Sequence, residues 1–258
     1  MGVESIAAAE RLLVALDFDG TVAPLVDDPS TSRVTPAAAE AIARLGALPA
    51  TWVAFVSGRP LASLAQLTGA GPDALLIGSH GVEVSLRGRL ADAELSDDER
   101  ARMARLEAAL IELVTAVPGA RLEHKPVGYG VHTRLVERTE LVAPLQQAAR
   151  EAADAIGGFT TRVGKDIVEF SVRAVNKGDG VRMLRELLAD EAGGPVAVLY
   201  AGDDVTDEDA FAVLGEGDLG VKVGEGPTAA TARVADVEAF ATLLSELATV
   251  REASARSL

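Results

Sequence analysis

Two aspartates separated by one residue follow an apolar run near the start of the chain. The run Leu12–Leu16 predicts a buried strand, and Asp17 and Asp19 come directly after it in the sequence Asp-Phe-Asp-Gly-Thr. Ligands of open α/β sheets bind where such strands end. Both carboxylates are expected to point to one side of the strand end, close enough to share a divalent cation and to divide the roles of nucleophile and acid. Gly20 permits a sharp turn there, and Thr21 offers a hydroxyl and a backbone N–H to an anion.

Polar residues next to other predicted core elements are expected to meet this aspartate pair. They are Ser57 after a strand at 52–56, Lys177 at the start of a helix, and Asp203, Asp204 and Asp207 after a strand at 196–201. Asp203 can complete a cation site with Asp17, while Ser57 and Lys177 hold phosphate oxygens. Asp204 and Asp207 would lie next to the residues that make these contacts and orient a ligand or a water. The pattern predicts a phosphoryl-transfer site.

Each of these residues also has a purely structural interpretation. Ser57-Gly58 could form a tight turn, and Lys177 could be a solvated lysine in the first turn of a helix. Thr206 and Asp209 are expected to cap the helix that follows them. Capping does not explain the carboxylates of Gly202-Asp203-Asp204 at a strand end, which favour the phosphoryl-transfer site.

The order of apolar segments predicts an α/β core that is interrupted by an insert. Strands at 12–16, 52–56 and 75–77 alternate with helices, as in a parallel doubly wound sheet. This alternation stops at about residue 82 and resumes with a helix near Lys177. We therefore predict a core domain formed by residues 1–81 and 171–258, with an α+β domain inserted at 82–170.

Charged residues of the insert are predicted to share sheet faces. They are Glu123 and Lys125 on one strand, His132 and Arg134 on a strand at 129–135, and Glu169 on a strand at 167–172. Such a face suits a ligand made of hydroxyls, because carboxylates accept hydrogen bonds from them and cations donate. The alternative is a solvated outer face with cross-strand ion pairs.

Composition limits the classes of function. The 258 residues are 48% hydrophobic and include no cysteine, which excludes disulfides, thiolate catalysis and zinc–thiolate sites. No apolar stretch approaches the roughly 18 residues of a membrane span, and the first residues lack a signal peptide, so a soluble cytoplasmic protein is expected. A net charge of −15 without a basic stripe argues against nucleic acid and membranes as partners. A phosphorylated substrate would be repelled at long range, so its site must supply a metal, a lysine or an arginine.

The motifs resemble those of the haloacid dehalogenase superfamily and, within it, of the trehalose-6-phosphate phosphatases of trehalose biosynthesis. The superfamily motifs are DFDGT at 17–21, Ser57, Lys177 in Asn-Lys-Gly, and GDDVTDED at 202–209. The family motifs are Ala-Pro-Leu at 23–25, Ser-Gly-Arg at 57–59, Gly-Ser-His-Gly at 78–81, Glu-His-Lys at 123–125 and His-Thr-Arg at 132–134. The resemblance covers nearly the whole chain.

The resemblance implies a Rossmann-like hydrolase core with an inserted α+β cap, magnesium as cofactor and a phosphoaspartyl intermediate. Asp17 would be the nucleophile, Asp19 the acid and base, and Asp203 a metal ligand together with both. With an intrinsic pKa of about 4, Asp17 is expected to be ionised at neutral pH.

The substrate implied by the resemblance is a phosphorylated disaccharide, trehalose 6-phosphate. Thr21, Gly58 and Arg59 would contact it from the core, and the charged insert residues would contact its sugar. Arg59 has three possible partners, which are the substrate phosphate, the sugar, or a carboxylate of the protein.

Three alternatives to a trehalose-6-phosphate phosphatase are considered. Phosphatases of sucrose phosphate or mannosyl-phosphoglycerate differ only in cap residues, and a phosphomutase uses the same core. A catalytically silent sugar-phosphate sensor, or a partner domain of a synthase, requires a lost catalytic group, yet all the predicted ones are present. A monomer is favoured.

Overall fold

The computed structural model describes residues 2–71, 74–91, 95–164 and 166–255. The helices are α1 (Val3–Ala7), α2 (Pro36–Gly46), α3 (Leu61–Thr68), α4 (Asp97–Thr115), α5 (Val142–Ile156), α6 (Lys177–Ala192), α7 (Glu208–Phe211) and α8 (Val237–Ala255). The strands are β1 (Leu12–Leu16), β2 (Thr51–Val56), β3 (Leu75–Gly78), β4 (Glu83–Leu86), β5 (Arg89–Ala91), β6 (Arg121–Lys125), β7 (Gly128–His132), β8 (Thr160–Val163), β9 (Ile167–Ser171), β10 (Ala197–Gly202), β11 (Leu219–Val223) and β12 (Ala232–Val234). They fold into two compact units, Met1–Ala91 with Val175–Leu258, and Asp92–Ala174.

The first unit is built on a mixed sheet of eight strands, in the order β12-β11-β10-β1-β2-β3-β4-β5. All neighbours from β12 to β3 are parallel, and β4 and β5 add an antiparallel edge. The predicted α/β fold class is confirmed. Since β1 lies between β10 and β2, the residues that follow these three strands are brought to one edge of the sheet.

Both faces of this sheet are covered by helices. Leu12, Val14 and Leu16 of β1 belong to one buried cluster with residues of α2, α3 and α8. The alternate residues Leu13 and Ala15 belong to a second cluster, with residues of α6 and α7. A strand that is buried on both faces has a continuous apolar sequence, which is why the run before Asp17 shows no alternation.

The boundaries of the units differ from those predicted. The first junction lies at 91/92 rather than 81/82, and the second lies at 174/175 rather than 170/171. The hairpin of β4 and β5 pairs with β3, with Leu76 opposite Ser85, and so belongs to the eight-stranded sheet. The change of pattern at residue 82 therefore marks a change from parallel to antiparallel strands and not a domain boundary. The boundary was predicted too early because the sequence does not reveal which strand the hairpin joins.

The second unit is an antiparallel sheet in the order β6-β7-β9-β8, packed on α4 and α5. Tyr129, Val131, Val168 and Phe170 form the sheet side of its core. The predicted capping box at the start of α4 is confirmed, because Glu99 N donates to Ser96 Oγ at 3.2 Å and Ser96 N donates to Glu99 Oε2 at 2.8 Å. Hydrogen bonds from Arg173 and from the backbone of Ser96 lower the pKa of Glu99 to about 2.

Strand β7 is shorter than the strand predicted at 129–135. It ends at His132, because the chain turns where Val136 N donates to Thr133 O at 3.0 Å. Arg134 is therefore exposed in a turn and does not share a strand face with His132, contrary to the prediction. In the described ranges, none of the helices is long and apolar enough to cross a membrane.

Candidate active site

The predicted site residues of the core meet at the carboxyl edge of the eight-stranded sheet. Leu16, the last residue of β1, lies opposite Ala201 of β10 and Phe55 of β2. Asp17, Ser57 and Asp203 follow directly on these three strands. Strand register alone therefore places them side by side.

Lys177 lies at the centre of this group and is not the solvated lysine of the structural interpretation. Its Nζ donates to Asp17 Oδ1 and to Asp207 Oδ1, each at 2.7 Å, and only 3% of the residue is exposed. Asn176 and Asp179 form a capping box that fixes Lys177 as the first residue of α6. Burial lowers the pKa of Lys177, but the charges of the two aspartates outweigh this effect and the net shift is upward.

Asp17 is buried and held from both carboxylate oxygens. Oδ1 accepts from Lys177, and Oδ2 accepts from the hydroxyl of Thr21 at 3.3 Å. Burial raises the pKa of Asp17 well above its ordinary value, Lys177 opposes the rise, and the nearby charge of Asp207 adds to it. This upward shift of the pKa could not be predicted from the sequence, because burial is not visible there.

Three carboxylates form a group that could hold a metal ion. Asp17, Asp203 and Asp207 each offer an oxygen, and these atoms lie within 4.8 Å of one another. Burial, and then the charge of Asp207, raise the pKa of Asp203 to about 6. Gly20 makes room for the group, since a Cβ at this position would lie 2.1 Å from Asp203 Oδ2. Hard oxygen ligands at this separation suit Mg²⁺.

Asp19 lies outside this group, although it is one of the predicted metal ligands. Its carboxylate forms a bidentate ion pair with Arg59, with Nε to Oδ2 at 2.5 Å and Nη2 to Oδ1 at 2.6 Å. The Arg59 guanidinium also lies over the Phe18 ring, 5.3 Å from its centre. Arg59 was predicted to contact the substrate phosphate, the sugar or a carboxylate of the protein. In the structure it contacts a carboxylate of the protein, that of Asp19.

Ser57 and Gly58 belong to a turn that interlocks with the Gly-Ser-His-Gly segment. Ser57 Oγ accepts from Arg59 N at 3.2 Å, so its own proton is available for an acceptor. A Cβ on Gly58 would lie 2.5 Å from two atoms of the His80 ring. Ser79 and His80 both have positive φ, of 48° and 57°, and donate their N–H groups to Arg59 O and Ser57 O. Strained backbone of this kind is often found at functional sites.

Asp207 takes a larger part in the site than the sequence predicts. It is fully buried, and its Oδ2 accepts from Asp204 N at 2.9 Å. Asp204 and Asp207 flank the turn before α7, so Thr206 is not the cap, contrary to the prediction. The side chain of Asp204 is exposed, and its backbone positions Asp207.

The charged residues of the second unit share the sheet face opposite the helices. Glu123 Oε2 lies 2.8 Å from His132 Nε2, and Lys125 is bonded to Glu169 and lies 3.9 Å from Glu123. The hydrogen bond from His132 lowers the pKa of Glu123, although partial burial opposes it. Gly130 lies between Glu123 and Glu169 in register, and a Cβ there would lie only 3.1 Å from Ile167 Cδ1 and 3.2 Å from Glu123 Oε2, so the glycine lets these side chains approach the strand closely.

Comparison with known proteins identifies the family. A family model described as trehalose-phosphatase matches residues 15–238. The chain belongs to this trehalose-phosphatase family. Trehalose-phosphate phosphatase of Mycobacterium ulcerans (strain Agy99) is 33% identical over 221 residues, which are 83% of this chain and 54% of that protein. The chain thus spans about half the length of the curated relatives it matches.

Solved structures of the trehalose-phosphatase family have the same fold. The crystal structure of a trehalose-6-phosphate phosphatase related protein matches with a TM-score of 0.75 at 27% identity, over 94% of this chain and 99% of that one. The C-terminal domain of C. albicans trehalose-6-phosphate phosphatase matches with a TM-score of 0.78 at 21% identity, over 96% and 95%. The resemblance inferred from the motifs is confirmed.

Two residues that donate hydrogen bonds to the motif at 202–209 are absent from the sequence predictions. Tyr200 OH donates to Asp207 Oδ1 at 2.6 Å, and Lys222 Nζ donates to the carbonyl of Asp203 at 2.6 Å. Both are buried residues of core strands. Their polar ends inside otherwise apolar strands are the signal that would have identified them, because such groups require buried partners.

Proposed function

We propose that this chain is a magnesium-dependent phosphatase that hydrolyses trehalose 6-phosphate to trehalose and phosphate. The observation that carries the proposal is the buried cluster in which Lys177 bonds both Asp17 and Asp207. A lysine and several carboxylates around one strand end suit phosphoryl transfer. Catalysis of this reaction depends mainly on positioning the phosphoryl group and on stabilising the negative charge of its oxygens. Membership of the trehalose-phosphatase family supports the choice of substrate.

The reaction would proceed in two displacements at phosphorus. A carboxylate oxygen of Asp17 bonds to phosphorus while the bond from phosphorus to the sugar oxygen breaks, and Asp19 donates a proton to that oxygen. Asp19 then accepts a proton from a water, whose oxygen attacks phosphorus and releases phosphate from Asp17. Before the first step, the substrate must draw Arg59 away from Asp19 or share it, since the ion pair occupies both carboxylate oxygens.

The residues of the cluster would hold the cofactor and the transferring group. Asp17, Asp203 and Asp207 have the donor set for Mg²⁺, which when bound offsets the negative charge of the phosphoryl oxygens. Lys177 and the hydroxyl of Ser57 would donate to the same oxygens. Without the cation, the three carboxylates face one another while Lys177 bonds only Asp17 and Asp207, so metal binding also relieves their mutual repulsion.

The sheet face of the second unit is proposed to bind the sugar. Glu123, Lys125, His132 and Glu169 combine acceptors and donors on one sheet face, which suits a ring of hydroxyls. Their mutual ion pairs also agree with a purely structural face. Substitution can distinguish these two roles.

Phosphate release is expected from trehalose 6-phosphate in the presence of Mg²⁺ and not after its removal by a chelator. A panel that also contains sucrose 6-phosphate, mannosyl-3-phosphoglycerate and glucose 6-phosphate tests the choice of sugar. A preference for another member of the panel would assign the chain a different substrate. Failure of every member, with and without Mg²⁺, would favour a silent sensor.

Glu123→Ala and Glu169→Ala are expected to reduce kcat/KM for trehalose 6-phosphate by roughly ten- to a hundred-fold, the effect of losing a charged hydrogen-bond partner. Hydrolysis of a small aryl phosphate should be nearly unchanged, because that substrate lacks the sugar hydroxyls. The ratio of the two kcat/KM values measures the effect.

The matched control is Glu107→Ala, which removes another glutamate paired with a histidine in the same unit. Glu107 Oε1 lies 2.7 Å from His124 Nε2, away from the proposed sugar face. This variant should hydrolyse both substrates normally. An equal loss on both substrates in the two test variants would mean that Glu123 and Glu169 only stabilise the sheet.

A further inference from the structure

Tyr200 is a fully buried polar residue that the two displacement steps do not use. It lies in β10, in the centre of the eight-stranded sheet and opposite Ala15. Its ring packs edge-on against Phe211, with 5.5 Å between the ring centres and an interplanar angle of 79°. The packing places the ring with its hydroxyl toward Asp207, to which it donates a hydrogen bond.

The hydroxyl of Tyr200 and the ammonium of Lys177 donate to the same oxygen atom. Asp207 Oδ1 accepts from Tyr200 at 2.6 Å and from Lys177 at 2.7 Å, while Oδ2 accepts from Asp204 N at 2.9 Å. Lys177 also donates to Asp17. Tyr200 is thus joined to Asp17 through two buried, charged side chains.

We infer that Tyr200 is a positioning residue that sets how Lys177 is shared between Asp207 and Asp17. A hydrogen bond from the phenol takes up part of the negative charge on Asp207 Oδ1, which weakens the hold of this atom on Lys177. Without the phenol, Asp207 draws the ammonium toward itself and away from Asp17 and the phosphoryl oxygens. The inference rests on the proposed phosphatase function for its kinetic consequence, but not for the hydrogen bonds themselves.

Tyr200→Phe removes only the hydroxyl and is expected to lower kcat by about ten- to a hundred-fold, the range for hydrogen bonds to charged groups. The KM should stay within about two-fold of wild type, because Tyr200 contacts the protein and not the substrate. The control is Tyr129→Phe, which changes the other of the two tyrosines in the chain. Tyr129 is also buried, and its hydroxyl lies 3.4 Å from the carboxylate of Glu107 in the second unit. The Tyr129→Phe variant should keep the wild-type kcat and KM.

A double-mutant cycle with Asp207→Asn separates this role from a general loss of packing. If Tyr200 acts through Asp207, Tyr200→Phe lowers kcat by less than about two-fold once Asp207 is already asparagine. A full additional loss in that background would overturn the inference. A wild-type kcat in Tyr200→Phe, or a rise in KM at unchanged kcat, would overturn it as well.

The ammonium group of Lys177 gives a readout that does not depend on activity. The chain has four lysines, at 125, 165, 177 and 222, so the ¹⁵N resonance of this buried ammonium can be assigned by substitution. The ¹⁵N chemical shift of Lys177 should change in the Tyr200→Phe variant and be unchanged in the Tyr129→Phe variant. An unmoved resonance would overturn the inference even if no substrate of the panel were hydrolysed, whereas inactivity of the wild type would count only against the proposed function.

If Tyr200→Phe does not fold, 3-fluorotyrosine provides a second measurement. In the Tyr129→Phe variant Tyr200 is the single tyrosine, and the fluorinated ring keeps its hydroxyl. Its ¹⁹F resonance should shift when Lys177 is replaced by methionine, because both donors share one oxygen atom. An unchanged ¹⁹F resonance would mean that Tyr200 and Lys177 do not influence each other through Asp207, and it would overturn the inference.

Discussion

Asp17→Asn is expected to reduce turnover of trehalose 6-phosphate by at least about a thousand-fold while the protein stays folded. The substitution keeps the size of the side chain but removes the anionic oxygen that would attack phosphorus. The fold should tolerate an amide, because asparagine has nearly the same shape and Lys177 keeps its second carboxylate partner, Asp207. Phosphate release and thermal unfolding of protein free of wild-type enzyme measure the two effects.

A matched control exists at the opposite edge of the same sheet. Asp218 is also buried, and its carboxylate accepts from Val198 N and forms an ion pair with Arg185. Asp218→Asn therefore removes a buried, cation-paired carboxylate that lies before strand β11 rather than after a strand. It should lower the melting temperature but keep turnover. Equal inactivation of both variants would show that the Asp17 effect is a loss of stability.

The covalent role of Asp17 also has a stereochemical consequence. Two successive in-line displacements at phosphorus retain its configuration, whereas direct attack by water inverts it. Retention is expected with a phosphorothioate analogue of the substrate that is chiral through ¹⁶O and ¹⁸O on phosphorus and is hydrolysed in ¹⁷O-labelled water, because the released thiophosphate is then chiral. Inversion would exclude the phosphoaspartyl intermediate and leave Asp17 with a role in binding only.

The location of the site could be predicted from the sequence because it depends on backbone features. Apolar runs mark the core strands, the strands are parallel, and the polar residues that follow them must meet at one sheet edge. Asp17, Ser57 and Asp203 are placed together by this rule alone. The predicted helix near Lys177 is also found, and the structure shows that a capping box of Asn176 and Asp179 fixes its start.

The contacts within the site could not be predicted, because they depend on side-chain directions after the strands end. The prediction that Asp17 and Asp19 share a cation assumes that strand geometry continues past Leu16. The chain instead turns at Gly20, with a φ of 77°, and the Asp19 carboxylate pairs with Arg59. Asp207 joins Asp17 and Asp203 through the turn before α7, which the capping pattern assigned to Thr206.

Gly20→Ala is expected to lower turnover and Mg²⁺ affinity by about a hundred-fold or more without changing any functional group. The new Cβ would lie 2.1 Å from Asp203 Oδ2 and 2.3 Å from its Cγ, so the carboxylate must leave its place beside Asp17 and Asp207. Displacement of a reacting or binding group by about 1 Å can cost about a hundred-fold in rate. Phosphate release as a function of Mg²⁺ concentration, and calorimetric titration with Mg²⁺, measure the two losses.

The control for Gly20→Ala is Gly69→Ala, because both glycines have a left-handed backbone. Gly69 ends helix α3 with a φ of 63°, and a Cβ added there would have no atom within 4 Å, whereas Gly20 has a φ of 77° and faces Asp203. Both substitutions therefore carry the same backbone cost, of about 1–2 kcal/mol, and only Gly20→Ala displaces a carboxylate. The Gly69 variant should be less stable but fully active at saturating Mg²⁺. If the two variants lost activity equally, backbone strain would explain both, and Asp203 would not need its present position for catalysis.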